Sequence, residues 1–107
     1  MTNFISTGST YWLSDEKIQI LEKNATNGDK NSAFKLYQYH MFVSLDQDSE
    51  FKWLEIAAKN GHPIAQSNLA DLFFTQGNKE KAIFWAKKAY RNGAKLPGEL
   101  KILININ

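Results

Sequence analysis

The two histidines are the side chains of this sequence best suited to acid–base or metal chemistry. His40 and His62 are 22 residues apart, and neither has carboxylates or cysteines nearby at the spacing of a metal site. Asp46, Asp48 and Glu50 resemble a fragment of a calcium loop, but the glycine and the terminal glutamate of such a loop are missing. The sequence has no cysteine, no phosphate-binding glycine loop and no nucleophile elbow. We therefore predict a non-enzymatic protein without metal or cofactor, with His40 packed inside and His62 steadying a turn.

A basic region near the end of the chain is a second candidate for binding chemistry. Residues 79–107 carry six lysines and one arginine against two acidic residues, a net charge of +5. Residues 1–78 carry six lysines against nine acidic residues, a net charge of −3. The cations of 79–95 surround Phe84, and such a surface can bind nucleic-acid phosphates and bases. Because one basic helix face is usually just solvated, nucleic-acid association is the alternative function rather than the first.

The strongest pattern in the sequence is a phrase that occurs twice, 32 residues apart. Trp-x-x-x-Ala-x-x-Asn-Gly begins at Trp53 and again at Trp85, the same spacing pairs Ala33 with Ala65, and residues 20–28 form a fainter third copy. Such a period predicts stacked helical hairpins, because one hairpin cannot bury its apolar face alone. The tryptophans are then expected to be wedged between hairpins.

Capping and stop residues divide the chain into helices joined by short polar turns. We predict five helices, with Asp48 capping the third, and a short sixth opened by Pro97; the spans are about 15–27, 31–43, 48–60, 63–75, 79–91 and 97–103. Alternating isoleucines in 102–106 favour a strand instead, but a single strand would have no visible partner. The expected fold is a single all-α domain, a short α/α solenoid of five to six helices.

We expect the two ends of the chain to close the stack. The N-terminal segment contains several apolar residues that could cover the first hairpin. We therefore divide the chain into an N-terminal cap (1–13), a partial repeat (14–28), two full repeats (29–61 and 62–94) and a C-terminal cap (95–107).

These repeats resemble the Sel-one-like repeat family, a relative of the tetratricopeptide repeats. The family pattern is an alanine and Leu-Gly-x-Leu-Tyr on one helix, then Ala-x-x-Trp-x-x-Lys-Ala-Ala-x-x-Gly on the next. The sequence matches it at Ala65, Leu69, Leu72, Phe73, Ala82, Trp85, Lys88, Ala89 and Gly93. It departs from the family in its shorter, 32-residue step and in having Leu69-Ala70 where the family has Leu-Gly. The resemblance implies a right-handed solenoid.

The resemblance also implies where a partner would bind. In this superfamily the first helix of each hairpin lines the concave surface, which here carries aromatic and polar residues: Lys35, Gln38, Tyr39, Phe42, Gln66, Asp71 and Phe74. Aromatic side chains rimmed by polar groups are typical of binding hot spots. The alternative is that the apolar segment 4–13 covers these aromatic residues.

We accordingly predict a protein–protein interaction module that binds one protein partner through its concave face. Small helical-repeat proteins of this kind are similar to bacterial immunity proteins, which neutralise a cognate toxin by covering its active surface. Residues 1–10 contain no basic residue, and the longest aliphatic run, 102–104, is far shorter than the roughly 18 residues of a membrane span. A cytoplasmic protein without membrane contact is therefore expected.

Overall fold

The structure is a computed structural model that describes residues 10–105, and all regular elements within that range are helical. A π-helical turn, His40–Ser44, extends the second of six α-helices: α1 Asp15–Thr26, α2 Lys30–Tyr39, α3 Gln47–Lys59, α4 Pro63–Thr75, α5 Lys79–Arg91 and α6 Gly98–Leu103. The prediction of an all-α protein is confirmed for these residues. The sixth helix is present where a strand was the alternative.

Three of the helices begin with the same hydrogen bond at 32-residue intervals. The side chains of Ser14, Asp46 and Asn78 each accept from the backbone N–H three residues later, at 3.2, 3.4 and 3.2 Å. These bonds satisfy N–H groups that have no partner within the helix. The prediction that Asp48 caps α3 is wrong, because Asp46 has the extended backbone of a cap and Asp48 lies in the first helical turn.

The repeated Asn-Gly pairs end α3 and α5. Gly61 and Gly93 have φ angles of 99° and 91°, a left-handed backbone that a side chain would disfavour. The N–H of the next residue, His62 or Ala94, then bonds to the carbonyl five residues before it, at 3.0 and 2.9 Å. His62 also caps α4, whereas Ala94 has no capping side chain and α6 begins only at Gly98.

The π-helical turn accommodates one extra residue in the first hairpin. The capping residues Asp29 and Asp46 are 17 positions apart, whereas His62 and Asn78, the corresponding pair, are 16 apart. A π-helical turn contains one more residue than an α-helical turn. Equivalent residues of the two hairpins are therefore 33 positions apart before the π-helical turn, as Asp29 and His62 are, and 32 positions apart after it, as Asp46 and Asn78 are. The buried residues of α2 therefore match those of α4 at a spacing of 33: Ser32 with Ala65, Ala33 with Gln66, Leu36 with Leu69 and Tyr37 with Ala70.

The loop after the π-helical turn contains a left-handed residue that is not glycine. Leu45 has a φ of 57° and is 72% exposed. Its counterpart 32 residues later is Gly77, with a φ of 81°. The first hairpin therefore makes with leucine the turn that the second hairpin makes with glycine.

One continuous cluster of buried side chains includes residues from all six helices, and each helix packs mainly against its neighbours along the chain. Trp53 and Trp85 are buried, as predicted. Tyr90 is 47% exposed, because Ala86 and Ala89 occupy the buried stripe of α5 and the tyrosine lies at its edge.

Residues 10–14 lead into α1 beside the first hairpin. Leu13 packs against the core and Tyr11 is half-buried, whereas Trp12 is 62% exposed. The predicted covering role therefore applies to Tyr11 and Leu13 but not to Trp12. The remaining residues predicted for it, Phe4 and Ile5, lie outside the described residues.

Among helices of the described range, none has the length and apolarity needed to cross a membrane.

Candidate functional site

His40 lies in the π-helical turn. It was predicted to be packed inside the protein, but it is only half-buried. Its Nδ1 shares a 2.7 Å hydrogen bond with the Ser44 hydroxyl, and its ring meets that of Tyr39 edge-on at 5.0 Å. Burial lowers the pKa of His40, although the carboxylates of Asp46 and Glu22 oppose this shift. The imidazole is thus partly shielded from solvent and engaged within its own turn.

His62 holds the connection between α3 and α4. Its Nδ1 accepts the N–H of Ala65 at 3.2 Å, and its ring stacks on that of Phe34 with centroids 4.0 Å apart. Burial lowers the pKa of His62, and the nearby charge of Lys30 lowers it further. The neutral ring is the form that can accept this hydrogen bond, so the predicted role in steadying the turn is confirmed.

The acidic residues that resemble a calcium loop are used in capping. The carboxylate of Asp46 accepts from both the hydroxyl and the backbone N–H of Ser49, and these hydrogen bonds lower its pKa. Across residues 10–105 no three histidine or acidic side chains come together in a group that could hold a metal ion.

The predicted binding residues of the first hairpin lie along α2 and the π-helical turn. Lys35 is exposed, and Gln38, Tyr39 and Phe42 are half-buried. Tyr11 stacks on Phe42 with ring centroids 4.6 Å apart and planes 24° apart. A small cavity of about 260 Å³ is lined by Thr10, Tyr11, Leu13, Lys35 and Gln38. The covering segment considered as the alternative is therefore present at Phe42.

The predicted binding residues of the second hairpin divide into two groups. Asp71 is exposed and Phe74 is half-buried against the core. Gln66 is only 2% exposed, and both ends of its amide are engaged: Nε2 donates to the Ala58 carbonyl at 3.0 Å, and Oε1 accepts from Asn92 at 2.9 Å. The prediction that Gln66 contacts a partner is therefore wrong.

The register explains this error. Pairing Ala33 with Ala65 at a spacing of 32 places Gln66 opposite Phe34, which is half-buried. The observed spacing of 33 pairs Gln66 with Ala33, which is fully buried. Without Gln66, the predicted binding residues are the set that we call the α2–α4 face: Lys35, Gln38, Tyr39, Phe42, Asp71 and Phe74.

A groove that the sequence did not predict lies between α4 and residues 93–97. We call it the second-junction groove; its volume is about 770 Å³, and it is lined by His62, Pro63, Ile64, Ser67, Asn68, Gly93, Ala94, Lys95, Leu96 and Pro97. The signal that could have found it is the mismatch between repeats, because Ser67 and Ala94 replace two ring-bearing residues of the first hairpin junction, Phe34 and His62.

The basic helix α5 exposes aromatic side chains together with cations. Phe84 is 52% exposed and Tyr90 is 47% exposed, and Lys87 and Arg91 are exposed on the same helix. The ammonium of Lys88 lies 5.4 Å from the ring centroid of Phe84. The exposed surface of α5 is therefore basic, whereas the α2–α4 face carries both a lysine and an aspartate.

Comparison with known proteins gives one informative similarity. No protein-family model matches this sequence, and no solved structure matches it. The chain is 36% identical over 95 residues to the uncharacterized protein YibG of Escherichia coli (strain K12). The alignment covers 82% of this chain but 62% of YibG, so the chain spans less than two thirds of the length of this relative.

Proposed function

We propose that this chain is a non-enzymatic interaction module that binds one protein partner through the α2–α4 face. The observation that carries the proposal is the stacking of Tyr11 on Phe42 beside Lys35 and Gln38. This face thus already holds an aromatic side chain from the residues that lead into α1. Half-buried rings with charged residues beside them are the usual composition of a protein-binding hot spot.

The polar residues best suited to catalysis support a binding role rather than a reactive one. His62 and Asp46 are engaged in capping helices, and His40 is hydrogen-bonded within its own turn. The α2–α4 face itself offers the amide of Gln38, the ammonium of Lys35, the carboxylate of Asp71 and aromatic rings. Such groups recognise a surface by shape and charge.

We further propose that the helices form a short right-handed α/α solenoid of the Sel-one-like type. The 32-residue repetition of the cap at Ser14, Asp46 and Asn78 supports this arrangement. So does the packing of each helix against its neighbours along the chain, with overall dimensions of 48 × 35 × 23 Å. In such a solenoid α2 and α4 are the first helices of successive hairpins and line one surface.

The specific role that we propose is that of a bacterial immunity protein acting in the cytoplasm, which covers the active surface of a cognate toxin. The similarity to an Escherichia coli protein supports a bacterial setting. Neutralisation by occlusion needs only a rigid face of complementary shape and charge.

The proposal is tested by affinity capture from the cells that naturally produce the protein, with charge-reversed variants. Lys35→Glu/Asp71→Lys changes two exposed positions of the face and avoids the half-buried rings, whose loss would also disturb packing. Lys87→Glu/Arg91→Glu is the matched control, because it reverses two exposed charges on α5.

We expect the wild-type chain and the α5 control to capture the same protein, and the face variant to capture at least about tenfold less, since close charge reversal in an interface costs several kcal/mol. Circular dichroism should show equal helix content in all three. Equal capture by the face variant would contradict the proposal, as would loss of capture in the α5 control.

A second candidate, nucleic-acid association through residues 79–95, is favoured by one observation. Phe84 and Tyr90 are exposed on α5 beside Lys87 and Arg91, and exposed rings next to cations can stack on bases while the cations contact phosphates. Fluorescence anisotropy with a labelled poly-dT oligonucleotide should then show affinity that falls steeply with salt and disappears in Lys87→Glu/Arg91→Glu. Absence of any salt-dependent binding would eliminate this candidate.

A further inference from the structure

The second-junction groove has a filled counterpart elsewhere in the molecule. At the first junction, where α2 meets the start of α4, the ring of Phe34 stacks on His62 with centroids 4.0 Å apart and planes 15° apart. Tyr37 and Asn68 close the same junction with a 3.3 Å hydrogen bond. Two aromatic rings in contact therefore fill the space between successive hairpins there.

At the second junction the equivalent positions carry small side chains. Ser67 corresponds to Phe34 at the spacing of 33 that holds along α2 and α4, and Ala94 corresponds to His62 because both follow the left-handed glycine of a helix end. Neither can supply a ring. The groove of about 770 Å³ lies where both residues face it, and this volume is within the roughly 300–1,000 Å³ range of ligand sites.

The chain does not close this groove with its next helix. Because Ala94 cannot cap a helix, the chain continues through Lys95, Leu96 and Pro97 before α6 begins, and α6 packs against α5. Ile64, on the wall of the groove, is 54% exposed. An apolar wall is thus open at the position where the first junction is closed by a ring.

The charge around the groove is positive. Among the described residues that line it, Lys95 alone carries a charge, and no carboxylate is present. A segment that enters this groove therefore meets an apolar wall and the ammonium group of Lys95, a pattern complementary to acidic residues.

We propose that the second-junction groove binds an aromatic side chain carried by an acidic segment of a partner protein. The ring occupies the space beside Ser67 and Ala94 that Phe34 occupies beside His62 at the first junction. The flanking carboxylates of the segment lie near Lys95. This surface is distinct from the α2–α4 face, and its test does not require the partner of that face.

The test uses the ¹⁵N-labelled full chain and the acetylated, amidated peptide Asp-Glu-Phe-Glu-Asp. We expect saturable shifts of the amide signals of Ile64, Gly93, Ala94 and Lys95. Replacing the phenylalanine of the peptide by alanine should weaken binding at least about tenfold, since it removes the buried ring. A peptide with lysines in place of its acidic residues should also bind more weakly.

Two variants of the chain complete the test. Ser67→Phe places a ring where the first junction has one and should abolish the shifts, whereas Ser67→Ala leaves the groove open and should retain them. Lys95→Glu changes an exposed residue, so it keeps the fold even if Ser67→Phe does not. It should weaken the acidic peptide and strengthen the lysine peptide.

Three results would overturn the proposal. One is the absence of shifts at these amides with the phenylalanine peptide, and another is equal affinity for the alanine peptide. The third is movement of the same signals when the protein alone is diluted, since that would identify a second copy of the chain as the occupant. Failure of peptide binding here leaves the test of the α2–α4 face unaffected, because that test uses affinity capture and variants at Lys35 and Asp71, which do not line the groove.

Discussion

Gln66 links the C-terminal ends of two helices through one buried amide. It donates to Ala58 at the end of α3 and accepts from Asn92 at the end of α5, and it is only 2% exposed. A buried polar group without a partner is costly, so removing this amide leaves the Ala58 carbonyl and the Asn92 amide with fewer partners. We therefore assign Gln66 to the stability of the second hairpin.

Replacing Gln66 by leucine should lower the free energy of unfolding by about 1–3 kcal/mol, because an apolar side chain of similar size makes neither hydrogen bond. Urea denaturation followed by circular dichroism measures this change. Gln19→Leu, at an exposed position of α1, is the control and should change stability by less than about 0.5 kcal/mol. A Gln66→Leu protein as stable as this control would contradict the assignment.

Leu45→Gly should stabilise the protein by about 1 kcal/mol, since it relieves the left-handed backbone of a residue that is 72% exposed and contributes little packing. Gly77→Ala is the reciprocal change: a Cβ there would meet nothing within 4 Å, so its cost of about 1 kcal/mol is the backbone conformation alone. Thermal unfolding of both variants measures the two changes in stability. A destabilised Leu45→Gly protein would show that the leucine side chain matters more than its backbone.

Acidification should destabilise the protein in the range of histidine titration. The folded-state pKa values of His40 and His62 lie below their ordinary value of 6.5, so the unfolded chain takes up protons first as the pH falls. Their contribution is therefore fully present above 6.5 and is lost as the pH falls through the folded-state values. Urea unfolding at several pH values between about 8 and 5 measures this loss.

His62→Asn separates the two histidines. Asparagine keeps a side-chain acceptor for the cap of α4 but does not titrate, so the pH dependence should become smaller and the remainder should belong to His40. If the full pH dependence persists in His62→Asn, the neutral ring of His62 is not a source of it.

At the scale of the helices, the 32-residue repetition is carried by caps and stops. Ser14, Asp46 and Asn78 start three helices with the same bond, and Gly61 and Gly93 end two of them with the same left-handed turn. These are local interactions, which is why helix number, order and approximate bounds could be predicted from the sequence. The choice of Asp46 over Asp48 could not, because it depends on where the preceding helix ends.

The cap of α5 offers a direct measurement of this contribution. Asn78→Ala should destabilise the protein by about 0.5–2 kcal/mol, because an N–H at the start of the helix loses its acceptor. Asn78→Asp, which keeps an acceptor at the same position, is the control and should be close to wild type. Equal stability of the alanine and aspartate variants would mean that water replaces the cap without cost.

The register of the first hairpin is the feature that the sequence could not provide. A spacing of 32 pairs Ala33 with Ala65, and both are buried. The apolar pattern alone therefore does not show that the true spacing between α2 and α4 is 33. The extra residue is accommodated by the π-helical turn after Tyr39, and no glycine or proline in residues 40–44 marks that turn in the sequence. The position of Gln66 and the existence of the second-junction groove both follow from that register.

At the scale of the whole molecule, function is assigned to surfaces that differ between the repeats. The α2–α4 face combines Lys35 and Asp71 with half-buried rings and is partly covered by Tyr11, whereas α5 carries a concentration of positive charge. The sequence predicted the exposed members of the face correctly as surface residues. It could not show that Tyr11 covers Phe42, because that contact joins segments 31 residues apart.

The measurement that tests the central claim most directly is hydrogen–deuterium exchange of the chain alone and bound to the partner recovered by capture. The account predicts slower exchange in α2, the π-helical turn and the second half of α4, with α5 unchanged. Protection confined to α5, or none along α2 and α4, would contradict the claim that this face binds the partner.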